Sequence, residues 1–444
     1  MKSALSLRHS GSAQGDILLP GDKSITHRFL LVSALSSATT IIKNLPANKD
    51  CLATLAVLQQ LGVKASFLKK DKSEVRIRGR GLHGLRKPDG HILAGDSGTT
   101  FRLILGVLAG QDFAVRLIAG ESLSRRPMLR VTEPLRRMGA IITARKTGSG
   151  QEEYSPINIS GGNLRGINYK MPVASAQVKS AILLAGLYAS GETRIIEPIK
   201  TRDHTERVLQ LAGASVRVQG KTITIRGAKK LKLPTRLFVP GDISSASFFM
   251  VLAAILPGSK IRIKNVSLNP SRLGVINVLK RMGAKLQVLS SGHSRKLGAE
   301  PMGDVIISAS KLKGTVIKKQ EIPSLIDELP ILMVAVSCAT KKSVFEAVGE
   351  LRVKETDRIR SMSYNLKKMG VKVRVVRKKN DENVVIEGAP ELKGAKLKSF
   401  NDHRTAMSMV VAGLTARGKS VIDDVSCIDK SFPGFLAALN SIIK

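Results

Sequence analysis

Tryptophan is absent, and Phe, Trp and Tyr together make up 3% of the 444 residues. Platforms on which single-stranded bases could stack are therefore scarce. Three cysteines occur, Cys51, Cys338 and Cys427, far apart and odd in number. That argues against a disulfide framework and fits a reducing compartment. No two histidines form an HxH or HxxxH pair, so no metal site is legible. The longest apolar run, Phe248–Leu256, falls well short of the roughly 20 residues of a membrane span. The N-terminal residues 1–7 lack the apolar stretch of a signal peptide, so none is expected. Acidic residues are the most conspicuous shortage: 34 Asp and Glu face 72 Lys and Arg, for a net charge of +38. Such a surplus attracts anions. The basic residues are spread along the chain rather than gathered in an arm. This counts against nucleic acid as the main partner and leaves two readings open, small anionic substrates or a simply solvated basic surface. A basic nucleic-acid-binding protein is the alternative, and a steep salt dependence of duplex binding would support it.

What is present is an ordinary globular mix, 43% hydrophobic and 24% charged, long enough for two or three domains. A phrase Leu-x-x-x-Gly-(Ala/Val) recurs with its glycine at Gly62, Gly139, Gly213, Gly283 and Gly370. Spacings of 70 to 87 residues divide the chain into about six units. The glycine suits the left-handed residue that ends a helix. Alternating strands follow, as in Val75-Arg76-Ile77-Arg78 and Ile223-Thr224-Ile225-Arg226. Next comes a helix of small apolar residues, buried nearly all round, with starts near Ser24, Ser97, Ser175, Ser244, Asp327 and Asp402. Two nearly identical phrases, Pro20-Gly21-Asp22-Lys23-Ser24 and Pro240-Gly241-Asp242-Ile243-Ser244, open two halves of three units each. The expected domains are residues 21–239, and residues 1–20 with 240–444.

Two familiar patterns are decoys. Gly79-Arg80-Gly81-Leu82-His83-Gly84 matches GxGxxG, but Pro88 follows where a dinucleotide loop must open a helix. Gly413–Ser420 matches a P-loop, but in inverted context, with a helix before it and a strand after. Other segments carry the chemistry. Lys23, Ser24 and Arg28 stand at a helix start, where backbone amides and the helix dipole favour an anion. Gly98 follows Gly95-Asp96-Ser97. Arg126 precedes Pro127, a residue suited to the first helical turn. Ser175-Ala176-Gln177, the crowded Arg352–Arg358 segment, Arg404 and Lys430 mark further helix starts bearing cations or donors. Helix starts of this kind would form a strongly positive cleft if they converge.

In order and nearly end to end, these motifs resemble the 5-enolpyruvylshikimate-3-phosphate synthases of the enolpyruvyl transferase family. The resemblance implies an α/β (α+β) fold of two domains, each of three βαβαββ units, with helix N-termini facing an interdomain cleft. It implies transfer of the enolpyruvyl group of phosphoenolpyruvate to the 5-hydroxyl of shikimate 3-phosphate, the sixth step of the shikimate pathway. No metal or other cofactor is implied. A monomeric enzyme of the bacterial cytoplasm is expected, with no membrane partner. Carried over position by position, Glu355 is the acid and base at the methylene carbon, and Asp327 the base beside the hydroxyl. Lys23 lies between the substrates and shares in proton transfer. Ser24, Arg28, Ser175, Ala176, Gln177, Arg202 and Lys354, with Lys23 and Asp327, hold shikimate 3-phosphate. Gly98, Arg126, Arg358, Arg404 and Lys430, with Lys23 and Gln177, hold phosphoenolpyruvate. Glyphosate is the family's inhibitor, and some tolerant members carry Ala where Gly98 stands. Asp96 departs from the family's usual Asn, which puts a carboxylate close to anionic substrates. The related transferase acting on UDP-N-acetylglucosamine is the same-fold alternative. It carries a reactive Cys in the loop matching residues 120–127, and this loop has none.

Overall fold

The structure is a computed structural model that describes residues 3–147, 150–290, 300–378, 381–389 and 391–444. The repeated glycines end the helices Lys49–Gln60, Leu129–Arg137, His204–Leu211, Gly274–Arg281 and Arg358–Lys368. All five have φ between 82° and 111°, the left-handed region that excludes most side chains. The next amide reaches back to the leucine of the phrase. Val63 bonds Leu58 at 3.0 Å, Ala140 bonds Leu135 at 3.1 Å and Ala214 bonds Leu209 at 2.9 Å. Ala284 bonds Leu279 at 2.9 Å and Val371 bonds Leu366 at 3.0 Å. This is the six-to-one bond of a Schellman cap, which is commonly accompanied by an apolar contact between the same two residues. The sequence repeat is thus one helix-ending device used five times.

Each capped helix leads into a small sheet of fixed order. In one, the edge strand Ile92–Leu93 runs parallel to Ala114–Ile118. The antiparallel strands Glu153–Ser160 and Ile141–Lys146 complete it. Four further four-stranded sheets repeat this order. A three-stranded version joins Lys396–Leu397, Ser420–Ile422 and the N-terminal strand Leu5–Leu7. The second N-terminal strand, Gln14–Leu18, is the parallel edge of the sheet built on Lys260–Ser267. Strands alternate as their sequences require: Val75 and Ile77 are buried, while Arg76 and Arg78 face solvent.

Six apolar helices fill the centres: α1 (Lys23–Leu35), α2 (Gly98–Leu108), α3 (Ala176–Gly186), α4 (Ile243–Ile255), α5 (Leu329–Ser337) and α6 (His403–Thr415). Five begin with a side-chain cap. Asp22, Ser97, Ser175, Asp242 and Asp402 each accept an amide N–H of the first turn. α5 differs. It begins at Leu329, two residues after the expected start at Asp327, and Glu328 at its cap position makes no such bond. The GxGxxG segment runs into a loop and then the strand Ile92–Leu93, and the P-loop match ends α6.

Two compact units result, each with its own apolar core. The first comprises residues 21–239 with Glu300, and contains α1 to α3. The second comprises residues 3–20, 240–290 and the described residues from 301 onward, and contains α4 to α6.

Candidate active site

In the first unit, Asp22 caps α1 by accepting the Ile25 amide at 2.9 Å, which sets Lys23 and Ser24 in the opening turn. The Lys23 ammonium pairs with Asp50 Oδ2 at 2.9 Å. Arg28, one turn on, is buried and fixed at three points. Nε donates to Thr205 Oγ1 at 2.9 Å, Nη1 to the Ser24 carbonyl at 2.9 Å and Nη2 to Ser180 Oγ at 3.0 Å. Arg202 donates to Ser24 Oγ at 3.4 Å. Burial, and then repulsion from Arg202, lower the Arg28 guanidinium to about 10. It therefore stays charged at neutral pH. Two guanidiniums held beside one serine at a helix start form a locus that an anion would relieve.

A second group gathers around Arg102. Its Nη1 donates to Gln177 Oε1 at 2.7 Å and its Nη2 to the Pro127 carbonyl at 3.1 Å. Gln177 Nε2 in turn donates to Thr99 Oγ1 at 3.0 Å. A methyl group on Gly98 would lie 2.9 Å from Arg102 Nη1 and 3.2 Å from Arg126 Nη1. Gly98, Arg126 and Gln177 thus meet at one point. Ser175 is occupied as the cap of α3, accepting the Val178 amide at 3.4 Å. Ala176 follows it, and its carbonyl accepts from Ser180 Oγ at 2.6 Å. Pro127 does not open a helix as its type suggested. Arg126 instead follows the short turn Leu123–Arg125, and the helix begins at Leu129. The Asp96 carboxylate accepts the Leu123 amide at 3.0 Å, so it anchors this loop.

In the second unit, Arg358 is buried among three carboxylates. Nη2 donates to Glu355 Oε2 at 2.6 Å, Nε donates to Asp402 Oδ2 at 2.9 Å, and Nη1 lies 3.6 Å from Asp327 Oδ1. Burial opposes its charge, but Asp402, Glu355 and Asp327 outweigh that and raise its pKa above the ordinary value. Arg404 Nη2 stands 4.0 Å from the other Asp327 oxygen. Lys354 pairs with Glu350 at 3.3 Å. Lys430 ends the turn Ser426–Lys430, which packs against α6. No hydrogen bond or ion pair among the described residues ties it to the Arg358 cluster.

Comparison with known proteins shows the family. Residues 7–439 match the family model described as EPSP synthase (3-phosphoshikimate 1-carboxyvinyltransferase). The chain belongs to the EPSP synthase family. It is 46% identical over 430 residues to the 3-phosphoshikimate 1-carboxyvinyltransferase of Syntrophomonas wolfei, covering 97% of both chains. Its identity to the protein of that name from Desulforamulus reducens is 45%, again over 97% of each. Among solved structures, an EPSP synthase from Acinetobacter baumannii superposes with a TM-score of 0.86 at 40% identity. That alignment covers 100% of this chain and 98% of the other.

Within this EPSP synthase fold, three contacts escaped the sequence reading. Arg102 organises the Gly98 group, and its only sequence signal was a lone cation inside an otherwise apolar helix. Asp402, expected as a helix start, caps α6 by accepting the Arg404 and Thr405 amides at 2.7 and 3.0 Å, but its pairing with Arg358 was not expected. Arg272 and Glu328, both fully buried, pair at 3.1 Å, and Arg272 also donates to Ser244 Oγ at 2.6 Å. Nothing in the spacing of residues 244, 272 and 328 announces that contact.

Proposed function

We propose that this protein transfers the enolpyruvyl group of phosphoenolpyruvate to the 5-hydroxyl of shikimate 3-phosphate and releases phosphate. The observation that carries the reading is the nearly full-length match to chains named 3-phosphoshikimate 1-carboxyvinyltransferase. We assign Ser24, Arg28, Ser175, Ala176, Gln177, Arg202 and Lys354 to shikimate 3-phosphate, with Lys23 and Asp327 beside them. Gly98, Arg126, Arg358, Arg404 and Lys430 take phosphoenolpyruvate, with Lys23 and Gln177. The Arg28–Arg202 pair and the Arg102-centred group support this division, because guanidinium forks suit carboxylate and phosphate.

Glu355 delivers a proton to the methylene carbon of phosphoenolpyruvate, which makes C2 electrophilic. The 5-hydroxyl oxygen bonds to C2 while Asp327 accepts its proton, giving a tetrahedral intermediate. The Glu355 carboxylate then removes a proton from the new methyl group. The C2–O bond to phosphate breaks, the double bond re-forms and phosphate leaves. Both carboxylates lie within salt-bridge reach of Arg358. A substrate carboxylate or phosphate at Arg358 competes with Glu355 for that guanidinium. Positioned acid–base groups of this kind typically contribute about 10² to 10⁴-fold each, and fixed cations stabilise the anionic transition state. We place the enzyme in the cytoplasm as a monomer, in keeping with the free thiols of Cys51, Cys338 and Cys427 and with all assigned groups lying in one chain. Among the described residues no helix is long and apolar enough to cross a membrane. The test is phosphate release with each substrate alone and with both together. Release that requires both supports the reading, and release from phosphoenolpyruvate alone, or none, overturns it.

A further inference from the structure

A buried charge cluster lies beneath the Arg28–Arg202 pair, and no step above uses it. Lys179, the fourth residue of helix α3, is 1% exposed. Its ammonium contacts Glu206 Oε1 at 2.6 Å and Glu197 Oε2 at 3.1 Å, and both carboxylates are buried as well. Glu197 directly follows the strand Glu192–Ile196, and Glu206 lies in the first turn of the helix His204–Leu211. The segment between them carries Arg202. One lysine therefore staples both ends of that loop to α3. The loop is also tied within itself: Glu197 Oε1 accepts the Thr201 amide at 3.1 Å and the Thr201 hydroxyl at 2.5 Å.

The staple acts on Arg28 too. Thr205, next to Glu206, accepts from Arg28 Nε, and Ser180, next to Lys179, accepts from Arg28 Nη2. The two hydroxyls are themselves 2.7 Å apart. Burial opposes the charge on Lys179, but Glu206 and Glu197 outweigh it and raise its pKa. The ammonium is thus kept, although burial also pushes the Glu206 carboxyl up against the pull of Lys179. A buried arrangement of this kind gives little net stability compared with a well-packed apolar one, while removing one member is costly. Plain core packing would be served by a methionine or leucine at 179.

We propose that Lys179, with Glu197 and Glu206, is a positioning device that holds Arg28 and Arg202 at the spacing required by the phosphorylated ring substrate. The proposal rests on the assignment of that pair to shikimate 3-phosphate. None of the three residues touches substrate. They act through Thr201, Thr205 and Ser180.

The experiment measures shikimate 3-phosphate binding by isothermal titration without phosphoenolpyruvate, together with steady-state KM for each substrate, kcat and Tm. Four full-length variants are compared with wild type. Lys179→Met removes the staple, and Lys179→Arg restores its charge. Glu197→Ala releases the loop. Thr201→Val keeps shape and loses one hydrogen bond to a carboxylate, a bond class worth about tenfold or more. The expected result is weaker shikimate 3-phosphate binding, by about tenfold in Thr201→Val and more in Glu197→Ala. The phosphoenolpyruvate KM should change by less than about twofold, and Lys179→Arg should recover part of the loss seen in Lys179→Met. If Lys179→Met does not fold, Thr201→Val decides alone. Unchanged shikimate 3-phosphate affinity in Thr201→Val and Glu197→Ala, or equal losses for both substrates tracking Tm, overturns the proposal. Wild-type protein that fails to bind shikimate 3-phosphate overturns the functional assignment instead, and the titration of wild type separates the two failures.

Discussion

Gly98→Ala adds one methyl group at a place where the structure sets its consequences. The new carbon would stand 2.9 Å from Arg102 Nη1, 3.2 Å from Arg126 Nη1 and 3.4 Å from Leu123 Cδ1. Relaxed contacts need about 3.5 Å or more. Arg102 Nη1 must therefore retreat by roughly half an ångström. It is not free to do so without loss, because the same nitrogen donates to Gln177 Oε1 at 2.7 Å while Nη2 holds the Pro127 carbonyl at 3.1 Å. Overpacking of this size costs about 1–3 kcal/mol. The clashing atoms are side-chain tips rather than backbone, so the lower end applies, which is about fivefold in affinity. The fold should be barely affected, while the phosphoenolpyruvate KM rises by about that factor. Glyphosate spans a longer distance between its two anionic ends and has less room to shift, so its inhibition constant should rise by a larger factor. Both constants are read from steady-state phosphate release in wild type and variant. Equal factors for substrate and inhibitor, or a wild type indifferent to millimolar glyphosate, would refute the claim that Gly98 sets the length of this pocket.

Three further expectations concern charge. Glu355→Gln and Asp327→Asn should each lower kcat by at least about 10²-fold with little change in Tm; near-normal turnover in either variant removes that residue from its role. Asp96→Asn keeps the acceptor for the Leu123 amide, so Tm should hold and the phosphoenolpyruvate KM should fall by no more than about threefold as a nearby negative charge disappears; a rise in KM would contradict this. His27 is pushed well below its ordinary value by burial and then by Lys23 and Arg28, so it is neutral in the fold but takes a proton below about pH 6.5 when unfolded. Its contribution to stability is complete above that pH and is lost as pH falls further, by up to about 1.4 kcal/mol per pH unit. His27→Gln should therefore flatten the fall of Tm between pH 6.5 and 5, and superimposable profiles would show that His27 does not titrate on unfolding.

The six-unit organisation was readable because a helix end is a local event. Leucine, glycine and a small apolar residue within six positions define a Schellman cap wherever they occur, and five such caps mark out the repeats. Buried helices were readable for the same reason, since Ser97, Ser175 and Asp402 act on amides two or three residues away. Errors arose where a residue serves a distant partner instead. Glu328 looked like part of a helix start, yet its carboxylate is taken up by Arg272 and Ser244, and the helix begins without a side-chain cap. Pro127 looked like a first-turn residue, yet its carbonyl serves Arg102. Contacts across long stretches of chain leave no periodic trace: Arg102 meets Gln177, 75 residues on, and Arg272 meets Glu328, 56 residues on, and no local pattern announces either partner.

The two phrases Pro-Gly-Asp-x-Ser show how one local frame can serve two ends. Both aspartates cap their helices, Asp22 through the Ile25 amide and Asp242 through the Ser244 amide. Both serines then face an arginine. At Ser24 the partner is Arg202, with Arg28 on the serine's own carbonyl and Lys23 one residue before. Lys23 is paired with Asp50, while the Arg28 and Arg202 guanidiniums repel each other, and an arriving anion lowers that repulsion. At Ser244 the partner is Arg272, but Glu328 lies against both, and Ile243 stands where Lys23 stands in the other phrase. Here the protein supplies its own anion. The Arg272 charge is already met, the cluster is buried, and an external phosphate would have to displace a carboxylate held at 3.1 Å with no gain in charge balance. Sequence similarity between the phrases therefore reports a shared helix start, while the charges that each serine meets differ: a buried carboxylate against Arg272 at Ser244, and the guanidiniums of Arg28 and Arg202 at Ser24. Glu328→Gln offers the corresponding check. Removing the internal anion without changing shape should destabilise the second unit by about 3 kcal/mol or more, because Arg272 stays buried and loses the carboxylate held at 3.1 Å. Chloride or phosphate at tens of millimolar should return part of that loss in Tm. A variant as stable as wild type, or one that no anion rescues, would show that the Ser244 start is closed by packing rather than by charge.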